Sequence, residues 1–329
     1  VQTCALPICT YVEQPLIEKA EIIKRQKLIE ALNANEITRD EIREYLNPIY
    51  DLERLITRIT YQSANPRDLI AFRDSLKMLP PIKQQLSDIP CALTNEINEE
   101  FDELKDIYEL LLSSIEDEPP ISQRDGDIIK AGYNEEVDRL RDAKTKGKTW
   151  LAELEAGERE KTGIKNLRIK YNKVFGYYLE VTNSFKDLVP DYYVRKQTLT
   201  NAERYITPEL KELEDTILGA EDRLTSLEYE LFRDVRKQIS DNVSRIQKTA
   251  RAIAQIDVFA SLALVASQNN YCKPKINESG IIDIKNGRHP VVEKMITNDM
   301  FIENDTYLDQ HKNRISIITG PNMAGKPTY

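Results

Sequence analysis

The chain has 329 residues, of which 40% are apolar, 31% are charged and only eleven are glycine. This length suffices for two or three domains with sizeable cores, and so much charge with so little glycine is typical of long, solvent-exposed helices. The net charge of −9 argues against a nucleic-acid-binding surface that covers the whole chain, because phosphate contacts need lysine and arginine.

The four cysteines form no CxxC pair and have no histidine at ligand spacing, so neither a metal site nor a disulfide framework is suggested. This pattern is typical of the reducing cytoplasm, where we expect the protein to work. The longest nearly apolar stretch, Val258 to Ala266, is too short to span a bilayer. We therefore expect no membrane segment and no structural metal.

Residues 1–9 begin VQTCALPI and are interpreted as a non-native leader, because they resemble a translated sequencing adapter. An ordinary disordered terminus is the alternative. Residues 10–161 are assigned to a helical core and an outgoing long helix. Between Glu18 and Glu118, apolar residues at helical spacing predict short amphipathic helices, which proline pairs such as Asn65-Pro66 separate.

Two long helices are predicted on either side of residues 162–208. Asn134 is placed to cap the first helix, and Gly163 is placed to end it. The second helix begins at Thr207-Pro208 and contains no further proline until residue 274, so residues 209–273 are assigned to a returning helix and core. About sixty residues in one helix would reach roughly 90 Å. The two helices are expected to form an antiparallel arm.

The segment between the helices, residues 162–208, has a different period. Apolar Leu167, Ile169 and Tyr171 alternate with polar residues, which predicts a strand with one apolar and one basic face. The segment contains eight basic and four acidic residues, so its charge is +4 and the remainder of the chain carries −13. We expect a β-rich, basic module at the tip of the arm.

The last segment, residues 274–329, reads as the start of an α/β domain. Ile281 to Ile284 precedes a turn at Asn286-Gly287, and Arg314 to Thr319 is a β-branched run that predicts a strand. A phosphate-binding loop of the form GxxxxGK[ST] follows at Gly320, Pro321, Asn322, Met323, Ala324, Gly325 and Lys326. The hydroxyl position of that pattern holds Pro327, which removes both the magnesium ligand and a backbone N–H.

The loop sequence TGPNMAGK resembles the version found in the MutS family of DNA mismatch-recognition ATPases. Further words in the same order extend the resemblance over nearly the whole chain: YDLERLITRI, GYNEEVDRLR, YNKVFGYYLEVT, RKQTLTNAERYITPELKELE and GRHPVVE. The resemblance implies a mainly α fold with a small β-rich insert. Its parts would be a helical core, a long antiparallel two-helix lever, a β clamp at the tip of the lever and a truncated P-loop ATPase start.

By the same resemblance, the clamp contacts the DNA backbone and the loop binds ATP or ADP with Mg²⁺. The candidate DNA-binding residues are Lys165, Arg168, Lys170, Arg195, Lys196, Asn201 and Arg204. The candidate nucleotide-binding residues are the seven loop residues, Thr328, and Phe301 as the ring that stacks on adenine. Most tyrosines of the clamp are expected to form its core, and His289 is expected to be structural.

The resemblance also implies that the chain is an internal fragment of a homodimer that binds mismatched double-stranded DNA and works with a MutL-type partner, associated with the nucleoid. No catalytic residue can be named, and Pro327 predicts that this chain is inactive as an ATPase. Two alternatives stay open. One is a coiled-coil scaffold without ATPase activity, and the other is the MutS paralogue branch that lacks the clamp, against which the basic insertion argues.

Overall fold

The computed structural model describes residues 5–172, 174, 176–296 and 300–321. Its helices are α1 (Ala5–Glu13), α2 (Lys19–Ala34), α3 (Glu36–Leu46), α4 (Leu52–Thr60), α5 (Pro66–Leu76), α6 (Leu79–Ser87), α7 (Ala92–Glu100), α8 (Lys105–Ser114), α9 (Glu135–Thr162), α10 (Pro208–Ser240), α11 (Val243–Gln268) and α12 (Val292–Met295). Its strands are β1 (Arg168–Asn172), β2 (Gly176–Thr182), β3 (Val194–Thr198), β4 (Ala202–Ile206), β5 (Ile282–Gly287) and β6 (Asn304–Leu308), and a 3-10 helix covers Asn183–Leu188. The chain is therefore mostly helical with a small antiparallel sheet, as the sequence predicts.

Short helices α2 to α8 form one helical body with α11, and this confirms the prediction for the first part of the chain. Phe72, Phe101 and Phe259 are among the largest fully buried side chains of its single continuous core. The break before α5 has a local cause. The Asn65 side chain accepts a hydrogen bond from the Asp68 N–H while the Asp68 carboxylate accepts one from the Asn65 N–H, which satisfies two donors that the helix leaves free.

Helix α11 is, among the described residues, the one that is long and apolar enough to cross a membrane by length and composition. Half of its most apolar window is buried inside the protein. It packs against α2, α3, α4 and α7, and Ile246, Ala252 and Ala260 are fully buried. Its apolar character is therefore explained by its place in the helical body.

Helices α9 and α10 pack along each other and are called the stalk below. Three contacts fix their direction: Gly147 meets Ile217, the Lys144 ammonium lies 2.9 Å from Glu221, and the Arg141 guanidinium lies 2.5 Å from Glu228. Positions rise along one helix as they fall along the other, so the helices are antiparallel.

The predicted ends of the stalk helices are confirmed. The Asn134 side chain accepts hydrogen bonds from the N–H groups of Glu136 and Val137, and Gly163 ends α9 in the left-handed conformation at φ 71°. The Thr207 hydroxyl accepts a hydrogen bond from the Leu210 N–H, and Pro208 takes the first position of α10, where no N–H is needed.

The prediction of one uninterrupted helix over about sixty residues is wrong. Helix α10 ends at Ser240 after 33 residues, and α11 starts at Val243. The Asn242 side-chain amide donates to the carbonyl of Gln238, and its oxygen accepts from Arg245. Asparagine and aspartate compete in this way with the backbone ladder, so a helix can end without proline.

Strands β1 to β4 form an antiparallel sheet in the order β1-β2-β4-β3. In the register of the first pair, Arg168 lies opposite Glu180 and Tyr171 lies opposite Tyr177. The sheet contacts the stalk through α9 on β1 and through α10 on β2. It lies where α9 ends and α10 begins, which is one end of the stalk.

Residues 274–321 depart from the prediction. Strands β5 and β6 pair antiparallel, and Asn286, at φ 51°, belongs to a bulge before Gly287 rather than to a tight turn. The predicted strand from Arg314 to Thr319 is not present, and Ile315 and Ile317 are 84% exposed. A β-branched run becomes a strand only when neighbouring strands take its backbone hydrogen bonds, and within the described residues none pairs with it.

The start of the described chain is helical. Helix α1 begins at Ala5, inside the segment interpreted as a leader, and residues 1–4 lie outside the described residues. The Tyr11 ring packs edge-on to Phe259 at 6.0 Å, and the Arg25 guanidinium lies 3.9 Å from the Tyr11 ring centre. The chain is thus anchored to the helical body from Tyr11 onward.

Candidate nucleic-acid interface

The four-stranded sheet has one buried and one exposed face, because side chains alternate along each strand. The buried face and adjoining loop residues form a small separate core with the start of α10, made by Ile164, Leu167, Leu179, Val181, Tyr193, Tyr205 and Leu210. The opposite face presents Arg168, Lys170 and Glu180, and there the Lys170 ammonium lies 2.7 Å from the Glu180 carboxylate. The predicted amphipathic strand is confirmed, and its basic face points to solvent.

Carboxylates of α9 connect the sheet to the stalk. Glu155 accepts a hydrogen bond from the Ile169 N–H at 2.7 Å and another from Arg159, and the Arg168 guanidinium lies 3.7 Å away. Arg159 in turn donates to the carbonyl of Leu167 at 2.8 Å. Strand β1 is therefore attached to α9 through charged hydrogen bonds, which are stronger than neutral ones.

Glu158 lies at the centre of a buried polar cluster beneath the sheet. Its side chain is 2% exposed, and its carboxylate accepts hydrogen bonds of 2.8 Å from the hydroxyls of both Tyr192 and Tyr193 and one of 3.1 Å from Lys161. Burial acts to raise the pKa of Glu158, but these three donors outweigh it and hold the pKa below its ordinary value. Burial and the Glu158 hydrogen bond raise the pKa of Tyr192 to about 12.

A second buried carboxylate, Glu203, lies on β4. The Lys186 ammonium is 2.8 Å away, the Arg195 guanidinium is 3.6 Å away, and the Tyr205 hydroxyl donates to the same carboxylate. These donors, Lys186 first, hold the pKa of Glu203 below its ordinary value. Burial together with Glu203 raises the pKa of Tyr205 to about 12. Glu203 therefore offsets part of the positive charge that the segment 162–208 carries.

Six of the seven candidate DNA-binding residues are exposed: Lys165, Arg168, Lys170, Arg195, Lys196 and Asn201. They do not form one cluster. Arg168 and Lys170 lie on the outer face of β1, whereas Arg195 and Lys196 lie on β3 at the other edge of the sheet. Arg195 lies opposite Tyr205 and therefore on the same face of the sheet as the buried residues. Lys196 occupies a bulge between Arg195 and Gln197.

The seventh residue, Arg204, is engaged inside the sheet. Its side chain is 18% exposed, and its guanidinium lies 4.4 Å from the Tyr178 ring centre. It donates to the Gln197 side-chain oxygen at 2.8 Å and lies 3.8 Å from the Glu180 carboxylate. Arg204 thus connects β2, β3 and β4, a role that its sequence does not distinguish from that of its exposed neighbours.

The aromatic residues of the sheet divide as expected between core and surface. Tyr193 and Tyr205 are buried in the small core, which confirms the core assignment for these two, whereas Tyr178 is buried on the opposite face beneath the Arg204 guanidinium. Tyr171 and Tyr192 are about half exposed, and the Tyr171 ring packs on Tyr177 at 5.0 Å. Stacking on bases is not required to explain the buried rings.

The candidate nucleotide-binding residues are described only in part. Gly320 and Pro321 are exposed and irregular, and Phe301 is half-buried ahead of β6. Asn322, Met323, Ala324, Gly325, Lys326, Pro327 and Thr328 lie outside the described residues. His289 accepts hydrogen bonds at its Nδ1 from the N–H groups of Val291 and Val292, at the turn that leads into the short helix α12, which agrees with a structural role.

Sequence reasoning missed the carboxylates that hold the sheet, namely Glu155 and Glu158 on α9, Glu203 on β4 and Glu214 on α10. The Glu214 carboxylate is 3.4 Å from the Tyr177 N–H. A signal was present, since Glu155 and Glu158 fall in the last two turns of α9, where acidic residues oppose the helix dipole and need a compensating partner.

Comparison with known proteins agrees with this architecture. A family model described as MutS domain III matches residues 9–263. The chain is 65% identical over 320 residues to the DNA mismatch repair protein MutS of Lachnoclostridium phytofermentans. The aligned residues cover 97% of this chain and 34% of that protein. The MutS proteins of Caldanaerobacter subterraneus subsp. tengcongensis and Acetivibrio thermocellus are 56% and 52% identical over 319 residues, again 97% of this chain and 36% and 37% of theirs.

The chain spans about a third of the length of these curated relatives. The family model matches more than three quarters of the chain, across the helical body, the stalk and the sheet. By its sequence, this chain belongs to the MutS family.

Proposed function

We propose that the chain is the part of a DNA mismatch repair protein that holds duplex DNA at the four-stranded sheet. In this proposal the sheet is the clamp and the stalk is the lever that connects it to the nucleotide-binding region. The relatives named above are DNA mismatch repair proteins. The observation that carries the proposal is that the segment forming this sheet has few acidic residues and a net charge of +4, with exposed basic side chains at the end of a stalk, while the remainder of the chain carries −13.

The proposed contacts are with phosphate groups rather than with bases. Phosphate contacts fix the position of a protein on the duplex without reading its sequence, and arginine and lysine side chains make them. Arg168 and Lys170 have 66% and 51% of their side chains exposed, and Arg195 has 59%. A duplex along either edge of the sheet would meet one of these two basic pairs.

The lever is proposed to pass a displacement of the clamp to the helical body. From Pro208 to Arg236, α10 spans about 28 residues, or roughly 42 Å at 1.5 Å per residue. The Gly147–Ile217 approach and the buried Arg141–Glu228 pair keep the helices in register. A stiff element of this kind suits coupling between two sites, and in the whole protein we propose that ATP or ADP binding is the coupled event.

The nucleotide site is proposed to be weak in this chain. The run Gly320 to Lys326 supplies the small residues and the lysine that such loops use, but Pro327 supplies neither a hydroxyl for Mg²⁺ nor an N–H for phosphate. We therefore propose no ATPase activity for this chain. Phe301 is kept as the candidate ring for adenine.

The test is duplex binding by the full chain over a range of salt concentrations. The slope of log affinity against log salt is negative, and each lost phosphate contact makes it less steep by about 0.9. We expect Arg195→Gln with Lys196→Gln to lower the slope by about 1 to 2, whereas the exposed pair Lys248 and Arg251 on α11, changed to glutamine, should leave it unchanged. Equal slopes for both double variants would refute the contact assignment.

The same measurement separates the proposal from one of two alternatives, and the fold argues against the other. The acidic composition and Pro327 would also suit a coiled-coil scaffold. Such a scaffold should show no salt-dependent binding of duplex DNA. The MutS paralogue branch without a clamp is disfavoured by the sheet between α9 and α10. Comparing binding to mismatched and perfect duplexes tests the preference for mismatches. We also propose that the longer protein is a cytoplasmic homodimer that works with a MutL-type partner. Sedimentation of the longer protein, alone and with that partner, tests both associations.

A further inference from the structure

A small pocket with basic walls lies where α10 meets the end of α4. Its volume is about 120 Å³, and three basic side chains line it: Arg233, Arg236 and Lys237. The hydroxyls of Thr60 and Ser240 also line it. The pocket lies in the helical body, away from the candidate DNA-binding residues.

Arg236 is a buried cation without an acidic partner. It is 4% exposed, and its Nη1 donates to the carbonyls of Gln62 at 2.7 Å and Ala64 at 3.2 Å, while its guanidinium lies 4.7 Å from the Phe232 ring centre. Its Nε is buried and has no hydrogen-bond partner, and none of the described carboxylates pairs with it.

Burial and the nearby Arg233 charge lower the pKa of Arg236. Arginine nevertheless stays protonated in proteins, so a full positive charge is kept in a place that disfavours it. A buried charge is costly unless an opposite charge or enough hydrogen bonds compensate it. The two carbonyls engage a single nitrogen of the guanidinium.

The spacing of the basic residues adds to this imbalance. Residues 233, 236 and 237 are three and four positions apart, so their side chains share one face of α10, where like charges destabilise a helix. Asp234 also lines the pocket and offsets one charge, which leaves a net charge of +2 from the four ionisable side chains. If the cluster only held the carbonyls that follow α4, Arg236 would be sufficient, and Arg233 and Lys237 would not be needed.

We propose that this pocket binds a free oxyanion of the phosphate class. The volume of about 120 Å³ equals roughly four water molecules at ~30 Å³ each, which leaves room for one tetrahedral oxyanion and part of its hydration. The guanidinium of Arg236, whose Nε is unpartnered, the Lys237 ammonium and the Ser240 hydroxyl are donors of the kind that recognise such an anion, whereas the Thr60 hydroxyl already donates to the carbonyl of Ile56 at 2.8 Å.

The free anion is favoured over the DNA backbone because of where the pocket lies. Arg236 is roughly 42 Å along α10 from the start of that helix at the sheet. A duplex held on the sheet would therefore place its phosphates far from the pocket. The inference stands apart from the proposed function, since it needs no DNA at the sheet.

The test measures binding of inorganic phosphate to the full chain by calorimetry and by the rise of its unfolding temperature, against chloride at equal ionic strength. A ligand that binds only the folded chain raises that temperature as its concentration exceeds Kd. We expect R233Q/K237Q, which keeps Arg236 and its carbonyl contacts, to bind phosphate at least about tenfold more weakly than wild type. The control K248Q/R251Q should bind like wild type.

Arg236→Lys gives a second measurement, because it keeps the charge and removes the planar fork, and it should also weaken phosphate binding. Phosphate stabilises many proteins by exclusion from their surface. An equal rise of unfolding temperature in all variants, without saturable heat, would overturn the proposal. Saturation by an oligonucleotide duplex but not by inorganic phosphate would equally overturn it, because the anion would then be the DNA backbone.

Discussion

A Cβ atom added to Gly147 would lie 2.5 Å from Cγ1 of Ile217, so α9 and α10 cross here at a distance that admits no side chain on residue 147. Ile217 is itself 4% exposed and branched at Cβ, which limits how far it can turn away. This crossing sets the spacing of the stalk between its base and the sheet.

Gly147→Ala should therefore lower the free energy of unfolding by about 1–3 kcal/mol, the usual cost of forcing an extra methyl group into a packed site. Urea unfolding followed by circular dichroism measures the change. Gly157 on the same helix is the matched control, because nothing lies within 4 Å of a Cβ built there. Gly157→Ala should instead stabilise the chain by up to about 1 kcal/mol, since alanine favours helix. Equal effects at both positions would contradict this account of the crossing.

The stalk also shows what the sequence could predict. Asn134, Gly163 and Thr207-Pro208 carry local signals, and the helices begin and end where these residues predict. The end of α10 at Ser240 was missed because the apolar pattern continues across it and no proline intervenes. The helix ends there through side-chain hydrogen bonds of Asn242 and through packing of α11 on other helices, and neither appears in a periodic pattern.

Glu158→Gln should destabilise the sheet's attachment to α9. The carboxylate accepts charged hydrogen bonds from Tyr192 and Tyr193, and each such bond is worth about 1.5–3 kcal/mol before the amide's partial compensation, whereas the exposed Lys161 ammonium adds little. We expect a loss of about 1–3 kcal/mol at pH 7 in urea unfolding. Glu160→Gln, an exposed change on the same helix, should have almost no effect.

The same variant has a predicted pH dependence. The folded pKa of Glu158 lies below its ordinary value of 4.5, so its contribution is fully present above that value and is lost as pH falls through the folded pKa. The difference in unfolding free energy between wild type and Glu158→Gln should therefore be constant from pH 6 to 8 and shrink below about 4.5. A difference that grows on acidification would show that the carboxylate is not the stabilising form.

For the sheet, sequence reasoning identified the amphipathic strand and the basic excess, because alternation and charge are local. It could not separate Arg204 from Arg195, since both are arginines within one basic segment. The difference comes from register. Arg204 lies opposite Glu180 and Gln197 on neighbouring strands, and these pairings form between residues distant in the chain.

Arg204→Gln and Arg168→Gln are expected to have different effects. Loss of the Tyr178, Gln197 and Glu180 contacts should make Arg204→Gln destabilising by about 1–2 kcal/mol, whereas Arg168→Gln should stay within about 0.5 kcal/mol. In salt titrations of duplex binding, Arg168→Gln should lower the slope by about 0.9, and Arg204→Gln should change it less. If Arg204→Gln reduced the slope by about 0.9 and left the stability unchanged, that side chain would instead contact a phosphate.

Pro327 is tested most directly by returning its chemistry in two steps, in a protein that carries the complete nucleotide-binding domain. Pro327→Ala supplies an N–H that can face a phosphate, and Pro327→Ser supplies that N–H and the hydroxyl that holds Mg²⁺. We expect Pro327→Ser to bind ATP with Mg²⁺ at least about tenfold more tightly than wild type, equivalent to about 1.4 kcal/mol. Pro327→Ala should lie between them, and chelating Mg²⁺ should remove the difference between serine and alanine because only the hydroxyl acts through the metal. Equal affinities of wild type and Pro327→Ser, measured by nucleotide fluorescence, would show that residue 327 lies outside the phosphate-binding geometry that its place in the loop predicts.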